Sequence, residues 1–398
     1  MVMKIVFASN YLNHHERFFC EALDGLKGVE FKFIQTLPLE KERINLGWQD
    51  FSALPYCICS YSSEQAYHES LQMCRNADVL ILGGAPNEFV EYRVKNNKLT
   101  FYYAERLFHD GLWHMLNPRT FMTVLKRFII PGNKSNFYML CASGYTALDC
   151  HKIFAFRKKY FRWGHFIEVK HFDSVDSLLE SKRLKHPQGV SILWAGRLIG
   201  WKHPDLAIAV AERLRKQGYK YEMNIIGTGE LEESLKNEVI QKNLADSVHF
   251  LGSMKPTEVR SYMESSDIYI FTSDFSEGWG AVLGEAMASG CAVVTSHGIG
   301  ATPFLANHKE NALVYETGNV DSLYHNVKKL MDSEDLRTKF SRNAIDTMQN
   351  FWNAKVGAER FYNVVRALIN EEPVSEYENG PMSKAALLKN NWFKDDTV

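Results

Sequence analysis

Residues 273–296, SDFSEGWGAVLGEAMASGCAVVTS, constrain the fold more than any other stretch of the chain, because a glycine-interrupted turn opens a small-residue helix between two apolar runs. The run at 267–272 reads as a buried strand and that at 291–296 as another, so the helix between them belongs to a βαβ unit. The turn then sits at the carboxyl end of a strand, where open α/β sheets bind their ligands. Gly278 and Gly280 permit close backbone approach, and the first helical N–H groups, at Gly280, Ala281 and Val282, have no partners within the helix. With the helix dipole behind them they attract anionic oxygens. Glu277 and Glu285 would stand about 12 Å apart along a continuous helix axis, too far to share a proton. Carboxylates so spaced suit hydroxyl groups at different ends of an extended ligand. They also read as an ordinary helix acid and a solvated side chain.

A second element has the same form. The apolar run 190–195 ends in Gly196 and Arg197, and a short turn leads to Lys202 and a helix from Pro204. Arg197 can fork onto phosphate oxygens and Lys202 can act as a point charge. Beside an anion-ready helix the two form a diphosphate clamp; in isolation they read as solvated surface groups.

These segments, GRLIGWKHPDLAI, IIGTGE, VHFLGSM, the stretch above and ENALVY, in that order and spacing, resemble the carboxyl-terminal half of the retaining GT-B glycosyltransferases of family 4, with the similarity strong over about residues 190–350. The resemblance implies an α/β fold of two Rossmann-like doubly wound domains facing a central cleft. It implies that Arg197 and Lys202 neutralise the leaving nucleotide diphosphate, that Glu277 orients the donor sugar, and that Glu285 holds the ribose. By the same resemblance Gly196 and the backbone of Gly278, Trp279, Gly280 and Ala281 contact the donor, with Gly227, Gly229, Ser253 and Lys255 near the nucleoside. Preorganised donors around the departing diphosphate would lower the barrier electrostatically. In such enzymes the acceptor attacks from the leaving-group face and the phosphate takes the proton, in keeping with a sequence in which no hydrolase-type carboxylate pair stands out.

No D-x-D motif occurs and the histidines lack zinc-ligand spacing, so neither a metal nor any other cofactor is expected; the nucleotide sugar is a co-substrate. A chain of 398 residues, 45% hydrophobic, is long enough for two core-bearing domains. Its formal net charge of −1 gives no global argument for nucleic acid as a partner. Seven cysteines without a regular framework suggest reduced thiols, and Cys57 and Cys59 lack a second ligand pair. MVMKIVFAS leads directly into a strand without a secretory core, and no run approaches the ~18 apolar residues of a spanning helix. A cytoplasmic location is expected.

Strands are predicted in the first half at 4–8, 31–35, 79–82, 99–103, 138–142 and 161–166, with helical patterns between several of them. The charged stretch 182–189 reads as the linker, which bounds an acceptor domain at 1–185 and a donor domain at 186–350. Helical periodicity at 352–369 marks a final helix, which in the family's fold returns to the first domain. The polar tail after Glu371 reads as less ordered.

The first half departs from the family's commoner pattern at two points. The glycine-rich loop usual after the first strand is replaced by SNYLNHHE, where Asn13 and His14 are either acceptor-side residues or, for Asn13, a helix cap. After the strand at 99–103, where many members carry a histidine, the chain reads AERLFH. Glu105, its charge restrained by Arg106, or His109 is the candidate that receives the acceptor hydroxyl; a structural ion pair fits Glu105 equally. Arg119, Lys126, Arg127 and Lys134, then Arg157, Lys158, Lys159, Tyr160, Phe161, Arg162 and Trp163, form a basic, aromatic region of the kind that rests on an anionic bilayer or forms a solvated face.

The resulting expectation is a glycosyltransferase moving a sugar from a UDP-sugar to a glycan or lipid-linked glycan in polysaccharide synthesis, such as a bacterial capsule, in the cytoplasm or at the membrane's inner face. A catalytically silent partner subunit and a nucleotide-sugar epimerase of the same architecture are the rival readings.

Overall fold

The computed structural model describes residues 2–45, 47–109, 111–172, 174–186 and 189–393. The chain divides into two compact units, the first Met1–Glu168 with Trp352–Lys389 and the second Val169–Phe351 with Asn390–Val398.

In the first unit, strands β1 (Met3–Ser9), β2 (Val29–Gln35), β3 (Cys57–Cys59), β4 (Val79–Leu82), β5 (Thr100–Ala104), β6 (Phe137–Cys141) and β7 (Tyr160–Arg162) form a parallel sheet in the order β3-β2-β1-β4-β5-β6-β7. In the second, β8 (Val190–Ala195), β9 (Tyr221–Ile226), β10 (Val248–Gly252), β11 (Ile268–Phe271), β12 (Ala292–Ser296) and β13 (Ala312–Tyr315) form a parallel sheet in the order β10-β9-β8-β11-β12-β13. Both are doubly wound α/β sheets of the Rossmann type, as the resemblance implied. Helices cover both faces of such sheets, so central strands read as unbroken apolar runs; all of β4, β11, β12 and β13 is buried. The strand order reverses between β1 and β4, and between β8 and β11. Carboxyl ends diverge there and open a crevice.

The predicted strands are present, with three differences. Strand β3 was not anticipated, since three half-buried residues show no usable periodicity. The run 161–166 is a strand only as far as Arg162; beyond it the chain turns so that the Phe166 N–H donates to the His15 carbonyl. The stretch 182–189 is no linker at its start. It continues the helix Val175–Lys185 of the second unit, whose Lys182 is buried and donates to the carbonyls of Met263, Ser266 and Gly290 at 3.2, 2.8 and 2.7 Å. The division therefore falls at 168/169. A charged residue in a poorly apolar stretch reads as solvated; here three carbonyls replace its water.

The helix Ala354–Ile369 lies in the first unit, where Phe361 packs against Phe19, Phe101 and Trp163. Part of the chain after Glu371, which reads as a loose tail, is also packed, at residues 380–385. Met382 and Ser383 are buried, and residues 382–385 pair antiparallel with the edge strand β7 through Met382 N–H to the Arg162 carbonyl, Arg162 N–H to the Ser383 carbonyl and Ala385 N–H to the Tyr160 carbonyl. Its polar composition hid this, because an edge strand is covered through backbone groups that any residue carries.

Candidate functional site

The site grows from the loops that leave β8, β9 and β11. After β8, the Gly196 N–H donates to the Ile226 carbonyl and the Leu198 N–H to Thr228, so this loop lies on the one after β9. Only glycine fits the contact. A Cβ on Gly227, whose φ is +131°, would stand 1.8 Å from the Gly196 oxygen, and one on Gly229 would stand 2.4 Å from the Leu198 oxygen.

The β8 loop is then tied to β11. The Trp194 indole donates to the Thr272 hydroxyl at 2.8 Å, which donates to the Lys202 carbonyl at 2.6 Å; the Asp274 N–H donates to the Trp201 carbonyl at 3.0 Å. His203, left-handed at φ 48°, turns the chain into the helix Pro204–Lys216 and places its Nε2 3.2 Å from the Asp274 carboxylate. These ties bring the Lys202 ammonium onto the Glu277 carboxylate. Lys202 also lies 4.4 Å from the Trp201 ring, with the exposed Arg197 guanidinium 5.6 Å from that ring.

Beyond Glu277, the Gly300 N–H donates to the Glu277 carbonyl and the Ala301 N–H to Trp279, pinning the turn on the loop after β12. Gly280 starts the helix Ala281–Ala288 with φ +84°, and a Cβ there would meet the Phe271 ring at 2.8 Å. The Trp279 side chain is buried, so its backbone is what this turn offers a ligand. Glu285, one turn into the helix, has its carboxyl pushed above the usual range by burial, against the pull of the Arg260 charge; Arg260 itself donates to the Glu285 carbonyl at 2.9 Å.

Gly196, Arg197, Lys202, Gly227, Gly229, Glu277, Gly278 and Gly280 thus gather around the crevice between β8 and β11. Ser253 and Lys255 lie at the same rim two strands away, after the edge strand β10. Both are exposed, and the Lys255 N–H donates to Glu258 Oε2 at 2.8 Å at the start of the helix Pro256–Ser265.

The first unit holds the other candidates. Asn13 is the cap of the helix His14–Asp24: its side chain accepts from the N–H groups of His15 and Glu16 and donates to Glu16 Oε2. Burial, then the His165 charge, lower the His14 imidazole to about 4. Burial lowers His15 well below the usual imidazole value and raises the Glu16 carboxyl to about 8. Arg106 lies buried with Nε 3.6 Å from Asp149 Oδ2 and its guanidinium over the Tyr145 ring, while Glu105 Oε1 is 3.0 Å from His165 Nε2. His109 is exposed. His165 carries no local signal in the sequence; only the order of β5, β6 and β7 brings it to Glu105. Among the described residues no group of three or more His, Cys, Asp or Glu is arranged to hold a metal ion.

Comparison with known proteins gives this geometry a context. Residues 178–347 match the family model "Glycosyl transferases group 1". A Haemophilus influenzae protein named as an uncharacterized glycosyltransferase is 31% identical over 166 residues, 42% of this chain and 46% of that one. The N-acetylgalactosamine-N,N'-diacetylbacillosaminyl-diphospho-undecaprenol 4-alpha-N-acetylgalactosaminyltransferase of Campylobacter jejuni is 30% identical over 169 residues, 42% of this chain and 44% of that one. The match therefore spans less than half the length of either relative. In fold, Anabaena HepE, solved with UDP and glucose, aligns with a TM-score of 0.64 at 14% identity over 92% of this chain and all of that one. The sucrose-phosphate synthase of Thermosynechococcus elongatus aligns at 0.65 and 15% identity over 93% of this chain and all of that one. Residues 178–347 are thus similar to the glycosyl transferases group 1, and the fold of two parallel-sheet units is shared with these structures.

Proposed function

We propose that the protein is a retaining, metal-independent glycosyltransferase of family 4 that transfers a sugar from a UDP-sugar to a glycan or lipid-linked glycan acceptor in polysaccharide assembly. The observation that carries this reading is the convergence of Arg197, Lys202, Glu277 and the helix start at Gly280 on the crevice between β8 and β11. A diphosphate there meets two cations and N–H groups unsatisfied within the helix. As the anomeric carbon–oxygen bond breaks, negative charge grows on the diphosphate, where these groups stabilise it. The acceptor oxygen bonds to the same face of that carbon, and its proton passes to the departing phosphate oxygen. Glu277 holds the sugar's hydroxyls and Glu285 the ribose.

The UDP complex of HepE and the undecaprenol-linked acceptor in the Campylobacter enzyme's name support the choice of donor and acceptor class. Amylovoran and capsule biosynthesis, in the names of an Erwinia amylovora and a Staphylococcus aureus relative, support the polysaccharide setting. Thermal shift with UDP, GDP and ADP tests the donor: UDP raises the melting temperature most, and Arg197→Ala removes the effect. Equal response to all three, or to none, overturns it.

The reading includes docking of the first unit on the inner face of an anionic membrane. No helix among the described residues is long and apolar enough to cross one. Segments 111–136 and 151–163 contain no acidic residue and expose Trp113, Leu116, Phe121, Met122, Ile130 and Phe154 beside Arg119, Lys126, Arg157 and Lys158. Apolar side chains among cations suit an anionic interface. Flotation with phosphatidylglycerol vesicles at moderate salt tests it; failure to float removes this part.

A further inference from the structure

From Asn390 on the chain belongs to the second unit, and there its polar end carries two adjacent aromatic residues, Trp392 and Phe393. Their rings lie 6.3 and 6.1 Å from that of His297, the first residue after β12, and Phe393 also meets the His308 ring edge-on at 5.1 Å. His297 is only 5% exposed, and burial lowers the pKa of its imidazole and keeps it neutral. Its Nδ1 accepts from the Thr317 N–H at 2.9 Å. A backbone N–H can only donate, so the ring's proton sits on Nε2, which donates to the Asn390 carbonyl at 2.9 Å. His297 also meets the turn that carries Glu277: Phe275 stands edge-on to its ring at 5.2 Å, and a Cβ on Gly298 would come 3.1 Å from the Phe275 nitrogen. Two residues further, Gly300 and Ala301 donate to the Glu277 and Trp279 carbonyls at 3.2 and 2.9 Å. Residues 390–393 are thus linked to the Glu277 turn through one imidazole and the loop that follows it.

We propose that residues 390–393 brace the nucleotide-sugar site, and that His297 is the positioning residue through which they hold the Glu277 turn in its binding conformation. The nucleotide sugar rests on the function proposed above; the bracing rests on these contacts. A turn that stabilises a diphosphate must keep its N–H groups aimed at one place, and Gly278 and Gly280 give its backbone more freedom than other residues would. Packing against the turn removes part of that freedom before a ligand arrives, so less is lost on binding. Neither His297 nor the aromatic pair has to touch the ligand for this.

The test follows amide hydrogen exchange and UDP affinity in variants of the full chain. Trp392→Ala with Phe393→Ala removes the aromatic contacts. His297→Asn keeps an acceptor for the Thr317 N–H but is too short to reach the Asn390 carbonyl. In each, exchange over 274–280 should rise about tenfold, as expected for loss of a hydrogen bond or of its packing, while β8 and β11 exchange as in the wild type. UDP should bind about threefold more weakly, or worse. Trp392→Phe with Phe393→Tyr, which keeps both rings, should restore both readings. The proposal is overturned if the turn exchanges as in the wild type in both variants, if exchange rises equally throughout the second unit, if the loosened variants bind UDP as tightly as the wild type, or if the ring-conserving variant is no better than the alanine one. If the wild type fails to bind UDP while the variants still loosen the turn, the proposed donor falls and the bracing of the turn stands.

Discussion

Lys202 and Glu277, on loops that leave two adjacent strands, form an ion pair whose side chains are only 14% and 12% exposed. Their partnership makes the candidate site self-neutralised. On the function proposed above, a diphosphate that recruits the Lys202 ammonium would have to draw it from Glu277 and would release the carboxylate toward the sugar, which would couple binding to orientation through one side chain.

That exchange predicts opposite effects from the two partners. Glu277→Gln removes the competitor for Lys202 and should tighten UDP binding about threefold or more while lowering sugar transfer about 100-fold. Lys202→Ala should weaken UDP about tenfold or more, through loss of a charged hydrogen bond. Calorimetry with UDP alone separates these outcomes; weaker UDP binding by Glu277→Gln would sink the exchange.

Gly227→Ala should be severely destabilising. The added methyl group would overlap the Gly196 carbonyl oxygen, a backbone atom with no rotamer in which to retreat, at a φ of +131° that L-residues avoid. A loss of about 3 kcal/mol or more is expected, read as a lower denaturant midpoint. Gly218→Ala is the control, since nothing lies within 4 Å of its Cβ position and only its φ of +77° costs energy.

Lys182→Met should cost about 3 kcal/mol or more, although methionine matches the stem in shape. It would leave the carbonyls of Met263, Ser266 and Gly290 buried without their donor. Thermal unfolding of the variant checks this; a solvated linker lysine at that position would be replaced without effect.

Glu16 predicts a pH dependence. Burial raises its carboxyl from 4.5 to about 8, opposed by the hydrogen bonding at Asn13 and reinforced by the Glu105 charge. The folded state then binds the proton more tightly than the unfolded chain. The associated stability is complete below about pH 4.5 and is lost as pH rises through 8. His14 acts in the opposite sense: lowered to about 4, it removes stability as pH falls from about 6.5 toward 4. Glu16→Gln, which keeps an acceptor for Asn13, should exceed the wild type in stability at pH 8 by upward of about 1 kcal/mol and lose that advantage near pH 5. Denaturation curves at both pH values decide it; a pH-independent difference between the two proteins would refute it.

Much of the second unit was legible in one dimension. Strands β8, β11 and β12 are buried almost throughout and so are apolar at most positions, and the glycines after β9 mark backbone contacts that no side chain tolerates. The first unit was less legible where its contacts are long-range or made by backbone. Strand β3 is too short for a pattern, residues 382–385 join β7 through peptide groups that any sequence supplies, and Arg106 meets Asp149, distant in sequence, because the fold buries the two together.

Local rules, namely apolar runs, helix starts and obligatory glycines, therefore marked most strands and placed Arg197, Lys202 and Glu277 at strand ends, while the doubly wound order was implied by the family resemblance. Tertiary structure alone decided which charges meet: Lys202 with Glu277, Glu105 with His165, Lys182 with three carbonyls. The reason is that a strand's residues announce their own burial, whereas the partner of a charge depends on the order in which strands lie side by side, and no single segment of the chain encodes that order.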